Sequence, residues 1–162
     1  MAVIAAGART GIGRFMGSLK GHSATDLGGI AIAGALANAG ISGDDVDYVI
    51  MGHVLQAGAG QNSARQAALK GGIPMSVPSI TINKLCLSGI NAVALAAQMI
   101  RAGEADIVVA GGMESMSNAP HLMIGSREGV KYGDWTMKDS LAFDGLFCAI
   151  DNLGMGESTE KY

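Results

Sequence analysis

Residues 79–103 read SITINKLCLSGINAVALAAQMIRAG, and this stretch decides how the chain folds. Residues 79–83 are rich in β-branched side chains and predict a strand. Residues 84–89 predict a turn, and the alanine-rich run after it predicts a helix that ends at Gly103. A strand, a turn and a helix in this order are typical of a layered α/β domain.

Cys86 lies in that turn and is a candidate nucleophile. A cysteine at the start of a helix faces unpaired backbone N–H groups and the positive end of the helix dipole. Such a setting stabilises a thiolate and lowers a thiol pKa from its usual value of about 8.5. Ser88 and Gly89 are small, so a bulky substrate could approach the sulfur. The alternative is that Cys86 is a small buried apolar residue, and local geometry alone leaves both interpretations open.

Alternating strands and helices extend through the first two thirds of the chain. Because they alternate, we expect a layered α/β unit with mainly parallel pairing. The helix over 89–102 is apolar on nearly every side, which predicts burial between layers. From Gly111 onward the alternation stops, and the remainder is rich in methionine and glycine. The sequence predicts strands over residues 2–6, 46–55, 79–83 and 106–110. It predicts two further helices: one begins at a capping box over residues 23–26 and ends at Gly40, and the other covers residues 62–70.

Composition limits the partners of the chain. Its 162 residues could bury one core, and a net charge of −3 with no basic run argues against nucleic acid and anionic membranes. We expect no signal peptide and no run that approaches the length of a membrane span. Two cysteines are too few for a disulfide scaffold, so we expect a reducing, cytoplasmic location and a free Cys86. Because only 15% of the residues are charged, we expect another structure to cover part of the surface.

The sequence GARTGIG, residues 7–13, is an alternative site for a dinucleotide. Its glycines follow an apolar run, as in the loop that binds a pyrophosphate in nucleotide-binding folds. The preceding run is very short, however, and residues 14–25 do not predict a continuous helix. No Tyr-x-x-x-Lys pair for hydride chemistry occurs in the chain. We therefore do not predict dinucleotide binding.

The segment NKLCLSGINAVALAAQMIRAGEADIVVAGGMESMSNAPHL, residues 83–122, resembles the thiolase family around its nucleophilic cysteine. Residues 3–19, residues 48–69 and the late YGD, DGL and MGEST segments also resemble thiolases, in thiolase order. The resemblance implies the N-terminal half of a five-layered αβαβα fold, with a mainly parallel mixed sheet and the helix over 89–102 in the middle layer. It divides the chain into 1–118, the N-terminal domain carrying the nucleophile, and 119–162, the beginning of a loop-rich insertion that binds coenzyme A.

The same resemblance implies an acyltransferase. Cys86 would form an acyl-enzyme during thiolysis of a 3-ketoacyl-CoA or Claisen condensation of two acetyl-CoA molecules. Leu146 and Met155 would contact the substrate. Many thiolases have a histidine directly before that methionine, whereas this chain has Gly154, which leaves open how the thioester is positioned. The resemblance implies coenzyme A thioesters as substrates, and we expect no cofactor and no metal.

Three motifs of the thiolase C-terminal half are absent from the chain: an Asn-Glu-x-Phe turn, a Gly-His-Pro histidine that activates the nucleophile, and a Cys-x-Gly loop. We therefore expect an incomplete fragment whose partner is the missing half, inactive alone, within a homodimer or homotetramer. One alternative is a ketoacyl synthase, which shares the fold and a nucleophilic cysteine. The other is a non-catalytic half-chain that serves only in assembly.

None of the remaining polar residues is predicted to take part directly in the reaction. His53 is expected to be a satisfied core or edge histidine, and no histidine is assigned as the base. The segment GQNSARQ is expected to give structural support beside the site at a dimer contact, and Cys148 to be a buried bystander. The other residues considered were His22 and His121 as solvated or turn residues, Gln61, Asn62 and Arg65 as supports, and Glu104, Asp106 and Glu114 as helix-end and loop charges.

Overall fold

The computed structural model describes residues 1–162. A parallel sheet of three strands with helices on both faces forms its centre. This arrangement agrees with the predicted layered α/β fold. In chain order the elements are α1 (Ala24–Ala39), β1 (Tyr48–Gly52), α2 (Ser63–Lys70), β2 (Ser79–Ile82), α3 (Ser88–Ala102) and β3 (Val108–Gly112).

The sheet has the order β2-β1-β3, and both pairings of the central strand β1 are parallel. Ile50 pairs with Ile80 on one side and with Ala110 on the other. Before the sheet begins, the carboxylate of Asp47 accepts the N–H groups of Asp106 at 2.8 Å and Ile107 at 2.9 Å. Both bonds lower the pKa of the Asp47 carboxyl, and the bond from the Ile107 N–H has the larger effect. These bonds fix the register of β3 against β1.

Alternate residues of β1 serve two cores, as the two-residue period of a strand requires. Val49 and Met51 belong to the larger core, under α1 and α2. Ile50 points to the opposite face and packs with Ala92 and Ala96 of α3. The sheet therefore separates a helical layer made of α1 and α2 from a layer made of α3.

Helix α1 begins and ends where the sequence predicts. The Ser23 hydroxyl accepts the Asp26 N–H at 3.1 Å, and the Asp26 carboxylate accepts the Ser23 N–H at 2.9 Å. This reciprocal pair is a capping box. Gly40, with φ of 68°, ends the helix in the left-handed conformation that glycine adopts without a steric penalty.

The predicted strand over residues 2–6 is wrong, since these residues form no regular element. A strand is stable only when a neighbour pairs with its backbone groups, and no strand of the sheet reaches this segment. Val3 and Ile4 are accordingly exposed, at 76% and 84%. The second and fourth predicted strands exist, but β1 is shorter than 46–55, and β3 begins at Val108 rather than at 106.

The prediction that the helix over 89–102 is buried on nearly every side is also wrong for this chain. Only Ser88, Ala92 and Ala96 of α3 are buried, and Ile90 is 70% exposed. The sheet covers one side of the helix, and nothing within these 162 residues covers the other.

The stretch Leu85–Ala102 is long and apolar enough to cross a membrane, by length and composition only. The expectation that no run approaches that length is therefore wrong. Because the core helix of a globular domain passes the same test, and α3 packs on the sheet, this is weak evidence for a membrane span.

After β3 the chain is rich in loops, in agreement with the predicted loop-rich segment. Two antiparallel pairs of two-residue strands interrupt it, and Ser140, fully buried, donates its hydroxyl to the Pro120 carbonyl at 2.6 Å. The short elements are a 3₁₀ turn (Met116–Asn118), β4 (His121–Leu122), β5 (Lys138–Asp139), a π-helical turn (Leu141–Leu146), β6 (Phe147–Cys148), β7 (Leu153–Gly154) and α4 (Met155–Glu160).

Candidate active site

Two glycines let the start of α3 descend onto the carboxyl ends of β1 and β3. A Cβ atom added to Gly52 would lie 2.6 Å from the Ser88 Cβ and 2.8 Å from the Gly89 nitrogen. A Cβ atom on Gly112 would lie 3.3 Å from the Gly89 Cα. Since a side chain at Gly52 would collide with the helix backbone, the strand end and the helix start can touch only because this residue is glycine.

The turn before α3 is held in an unusual conformation. Leu85 has φ of 49°, in the left-handed region that residues with a side chain rarely adopt. The Asn83 carboxamide oxygen accepts the Leu85 N–H at 2.9 Å. The buried Ser88 hydroxyl accepts the Lys84 N–H at 2.7 Å and donates to the Leu85 carbonyl at 2.7 Å. These three bonds offset a backbone strain of about 1–3 kcal/mol.

Cys86 stands at the centre of this turn; its thiol is free, as predicted, and the residue is exposed. Within these 162 residues it is therefore not the small buried apolar residue of the alternative interpretation. No side chain caps α3, and the amides of Gly89 and Ile90 donate to no protein atom. The start of the helix therefore offers unpaired N–H groups and the positive end of its dipole directly after the turn that carries Cys86.

The thiol opens on a cavity of about 390 Å³. Of the predicted substrate contacts, Leu146 lines this cavity, whereas Met155 and Gly154 do not. Binding of substrate by these three residues stays a prediction, as does catalysis by Cys86. The walls come from the end of β1, the turn before α3, the end of β3 and the π-helical turn: Gly52, His53, Val54, Leu55, Leu85, Cys86, Ser88, Gly89, Gly112, Met113, Glu114, Met116, Leu141, Gly145 and Leu146.

A buried histidine and a glutamate form part of this wall. The Nε2 atom of His53 lies 3.2 Å from Oε1 of Glu114. His53 is a satisfied core histidine, as predicted. Interpreted from the sequence only as a charge in a loop, Glu114 is not predicted to pair with His53. One signal was available: His53 directly follows β1 and Glu114 follows β3, and the carboxyl ends of neighbouring parallel strands meet at one edge of a sheet.

Asn62 and Arg65 hold neighbouring elements of the fold together, whereas their expected support of the site at a dimer contact stays a prediction. The Asn62 side chain accepts the Arg65 N–H at 3.2 Å, which caps α2, and donates to the Ser79 carbonyl at 2.9 Å. Arg65 donates to the carbonyls of Met75 and Val77. These bonds join the start of α2 to the segment that enters β2. The other residues weighed in the sequence, His22, His121, Gln61, Glu104 and Asp106, do not line the cavity of Cys86.

No three His, Cys, Asp or Glu side chains lie close enough together to hold a metal ion. The glycines of residues 7–13 do not lead into a helix, because turns follow them up to Gly21. A pyrophosphate site of the strand–loop–helix kind needs that helix start. The geometry agrees with the rejection of the dinucleotide alternative.

The family model described as "Thiolase, N-terminal domain" matches residues 2–162. A probable acetyl-CoA acetyltransferase of Mycolicibacterium smegmatis is 60% identical over 159 residues, which cover 98% of this chain and 41% of the relative. An acetyl-CoA acetyltransferase of Allochromatium vinosum is 51% identical, and a probable one of Escherichia coli 50%, with 98% of this chain and 40% of each relative covered. The chain thus spans about two fifths of the length of the curated relatives it matches.

Proposed function

Because the chain belongs to the thiolase family, as its N-terminal domain, we propose that it carries the nucleophile of a thiolase-type acyltransferase. The observation that supports this most is the exposed Cys86, held in a strained turn at an uncapped helix start and open to a cavity. The names of the relatives, acetyl-CoA acetyltransferases, give the substrate class: acetyl-CoA and other coenzyme A thioesters.

The proposed reaction can run in two directions, thiolysis and condensation, and each direction has two steps. In thiolysis, the Cys86 thiolate attacks the 3-keto carbon of a 3-ketoacyl-CoA, the C2–C3 bond breaks, and the departing acetyl-CoA enolate takes up a proton. The thiol of free coenzyme A then attacks the acyl-cysteine and restores the Cys86 sulfur. In the condensing direction, the sulfur attacks the thioester carbonyl of acetyl-CoA, and coenzyme A leaves as its thiol after taking up a proton. A base then removes a C2 proton from a second acetyl-CoA, and the resulting enolate attacks the acetyl-cysteine carbonyl, which breaks the bond to sulfur and releases the Cys86 thiolate. Covalent capture divides one difficult exchange into two easier steps.

Within this chain, the groups around Cys86 orient the sulfur and stabilise charge. Asn83 and Ser88 hold the turn, and two of the first N–H groups of α3, which follows it, are unpaired. The Cys86 N–H is proposed to donate to the oxyanion of the tetrahedral intermediate, and one such donor is worth about 3 kcal/mol. Leu146 supplies an apolar wall for the acyl chain. Met155 and Gly154 are proposed to contact the substrate further along the channel.

The rest of the machinery is proposed to lie outside this chain. The base that activates the sulfur and the cysteine that moves the α-proton belong to the C-terminal half in the resemblance described above. That half would also cover the exposed side of α3. We propose that the protein forms a homodimer or homotetramer in the cytoplasm. We also propose that it needs no cofactor and binds neither nucleic acid nor a membrane.

Alkylation by iodoacetamide, followed by peptide mapping, tests the proposed nucleophile in the full-length protein. We expect the adduct on Cys86, and we expect acetoacetyl-CoA to protect that residue. Cys148 is the internal control, because its sulfur is partly buried and accepts the Asp151 N–H at 3.4 Å. Labelling of Cys148 with Cys86 unmodified would remove the mechanism. An assay with an acyl-carrier-protein thioester in place of coenzyme A would identify a ketoacyl synthase instead.

A further inference from the structure

His53 is a buried side chain with a partner at both ring nitrogens. It is 2% exposed. Its Nδ1 atom lies 2.8 Å from the Ser63 hydroxyl, and its Nε2 atom lies 3.2 Å from the Glu114 carboxylate. The histidine therefore connects the start of α2 to the loop that follows β3.

Glu114 in turn holds the backbone that follows β1. Its Oε2 atom accepts the Val54 N–H at 3.0 Å, and its Oε1 atom accepts the Leu55 N–H at 3.1 Å. The carboxylate thus has two backbone donors in addition to the histidine. Hydrogen bonds to an ionised group are about twice as strong as neutral ones, so this carboxylate fixes the position of Leu55 firmly.

Leu55 is the part of this assembly that shapes the cavity. It is 6% exposed and packs on the π-helical turn, where a Cβ atom added to Gly145 would lie 3.1 Å from its Cδ2. Leu55, Gly145 and Leu146 all line the cavity that holds Cys86. A shift of Leu55 would therefore change the depth of the space next to the sulfur.

We propose that His53 and Glu114 are positioning residues that limit the length of the acyl chain by holding Leu55 against Gly145 in the wall of the Cys86 cavity. This inference rests on the proposed function. The cysteine turn is held by bonds from Asn83 and Ser88, and its link to the segment after β1 is a long bond of 3.5 Å from the Asn83 amide to the Val54 carbonyl. Loss of the His53–Glu114 pair therefore changes which acyl chain fits and leaves the sulfur in place.

The test compares kcat/KM for acetoacetyl-CoA and 3-ketohexanoyl-CoA in the full-length protein. We expect His53→Leu, which removes both hydrogen bonds, to shift the ratio toward the longer substrate by about tenfold, the scale on which pockets discriminate methylene groups. His53→Gln keeps a donor and an acceptor and is expected to restore the ratio to within about twofold of wild type. The rate of Cys86 alkylation by iodoacetamide should stay the same in both variants. An unchanged ratio in a folded His53→Leu protein would overturn the inference.

Leu55→Ala provides a second variant that does not disturb the buried histidine. It is expected to shift the ratio in the same direction, and the double variant with His53→Leu should add little, because both changes act through one wall. A Leu55→Ala protein with the wild-type ratio would contradict the inference even if His53→Leu fails to fold. Wild-type protein that turns over neither substrate would overturn the proposed function, an outcome distinct from an active enzyme whose ratio does not respond.

Discussion

The Ser88 hydroxyl accepts a hydrogen bond of 2.7 Å from the Lys84 N–H, and this bond closes the turn that carries Cys86. The same hydroxyl donates to the Leu85 carbonyl, so one buried side chain holds the residues on both sides of a strained position. The first residue of α3 thereby determines the geometry of the proposed nucleophile.

Ser88→Ala should lower both stability and reactivity. The change removes the part-buried hydrogen bond of the Lys84 N–H, at a cost of about 1 kcal/mol, and frees the turn. We expect slower alkylation of Cys86 by iodoacetamide and a lower kcat for acetoacetyl-CoA. Ser158→Ala is the matched control, because Ser158 is also a buried serine with one side-chain bond, to Asp151. Equal alkylation rates in the two variants would show that Ser88 does not position the sulfur.

Gly52→Ala should displace the start of α3. The new Cβ atom would lie 2.6 Å from the Ser88 Cβ, so either the helix or the strand must move. Overpacking of this kind costs about 1–3 kcal/mol, measurable by denaturant unfolding, and should also slow Cys86 alkylation. Gly111→Ala provides the control, because its Cβ atom would meet the Met51 sulfur at an ordinary 3.7 Å. A Gly52→Ala protein as stable as Gly111→Ala would contradict the close contact described here.

Asp26→Asn should reduce stability at neutral pH, and this effect should become smaller as the pH falls below about 4. Bonds from Lys70 at 2.6 Å and from Ser23 hold the pKa of Asp26 well below its usual range. A lowered folded pKa stabilises the protein above the unfolded value of about 4, and this stabilisation is lost as the pH falls through the folded pKa. Because the ion pair is more than one third exposed, we expect a difference of about 1 kcal/mol or less.

Thermal unfolding from pH 7 to pH 2 measures this effect. The difference in Tm between wild type and Asp26→Asn should be largest at pH 7 and shrink below about pH 4. Asp134→Asn, in a loop where the carboxylate accepts no hydrogen bond, is the control. A difference that stays constant over the whole range would exclude a role for the charge.

Residues 1–162 alone should be inactive and should self-associate. Ile90 of α3 is 70% exposed and Leu87, just before the helix, is 56% exposed, and large exposed apolar surfaces promote association. Sedimentation velocity on this segment should show concentration-dependent oligomers, and Ile90→Lys should reduce them. Thiolysis of acetoacetyl-CoA by the segment, or a monomer at all concentrations, would contradict this account.

The local elements of the fold could be predicted because their signals are local. The Ser23–Asp26 capping box, the Gly40 and Gly103 helix ends and the β-branched run before Cys86 each act within a few residues. The strand at residues 2–6 was predicted wrongly for the complementary reason. Its apolar pattern is present, but a strand also needs a paired neighbour, which a sequence window does not reveal.

The candidate site was predictable only in part. Cys86 could be placed at a helix start from its position between a strand and a helix. The His53–Glu114 pair depends on which strands are neighbours in the sheet. Neither the residues around His53 nor those around Glu114 indicate that the strand order is β2-β1-β3. The burial of α3 was misjudged because its apolar composition reflects a surface that this chain alone does not cover.

The most direct test of the central claim is to trap the acyl-enzyme. Full-length protein would be mixed with acetyl-CoA, quenched in acid and digested, and each cysteine peptide weighed by mass spectrometry. We predict one acetyl group on the Cys86 peptide, absent from a Cys86→Ser variant and removed when free coenzyme A is added before the quench. Turnover of acetoacetyl-CoA with no acetyl group on Cys86, or with the group on Cys148, would contradict the account.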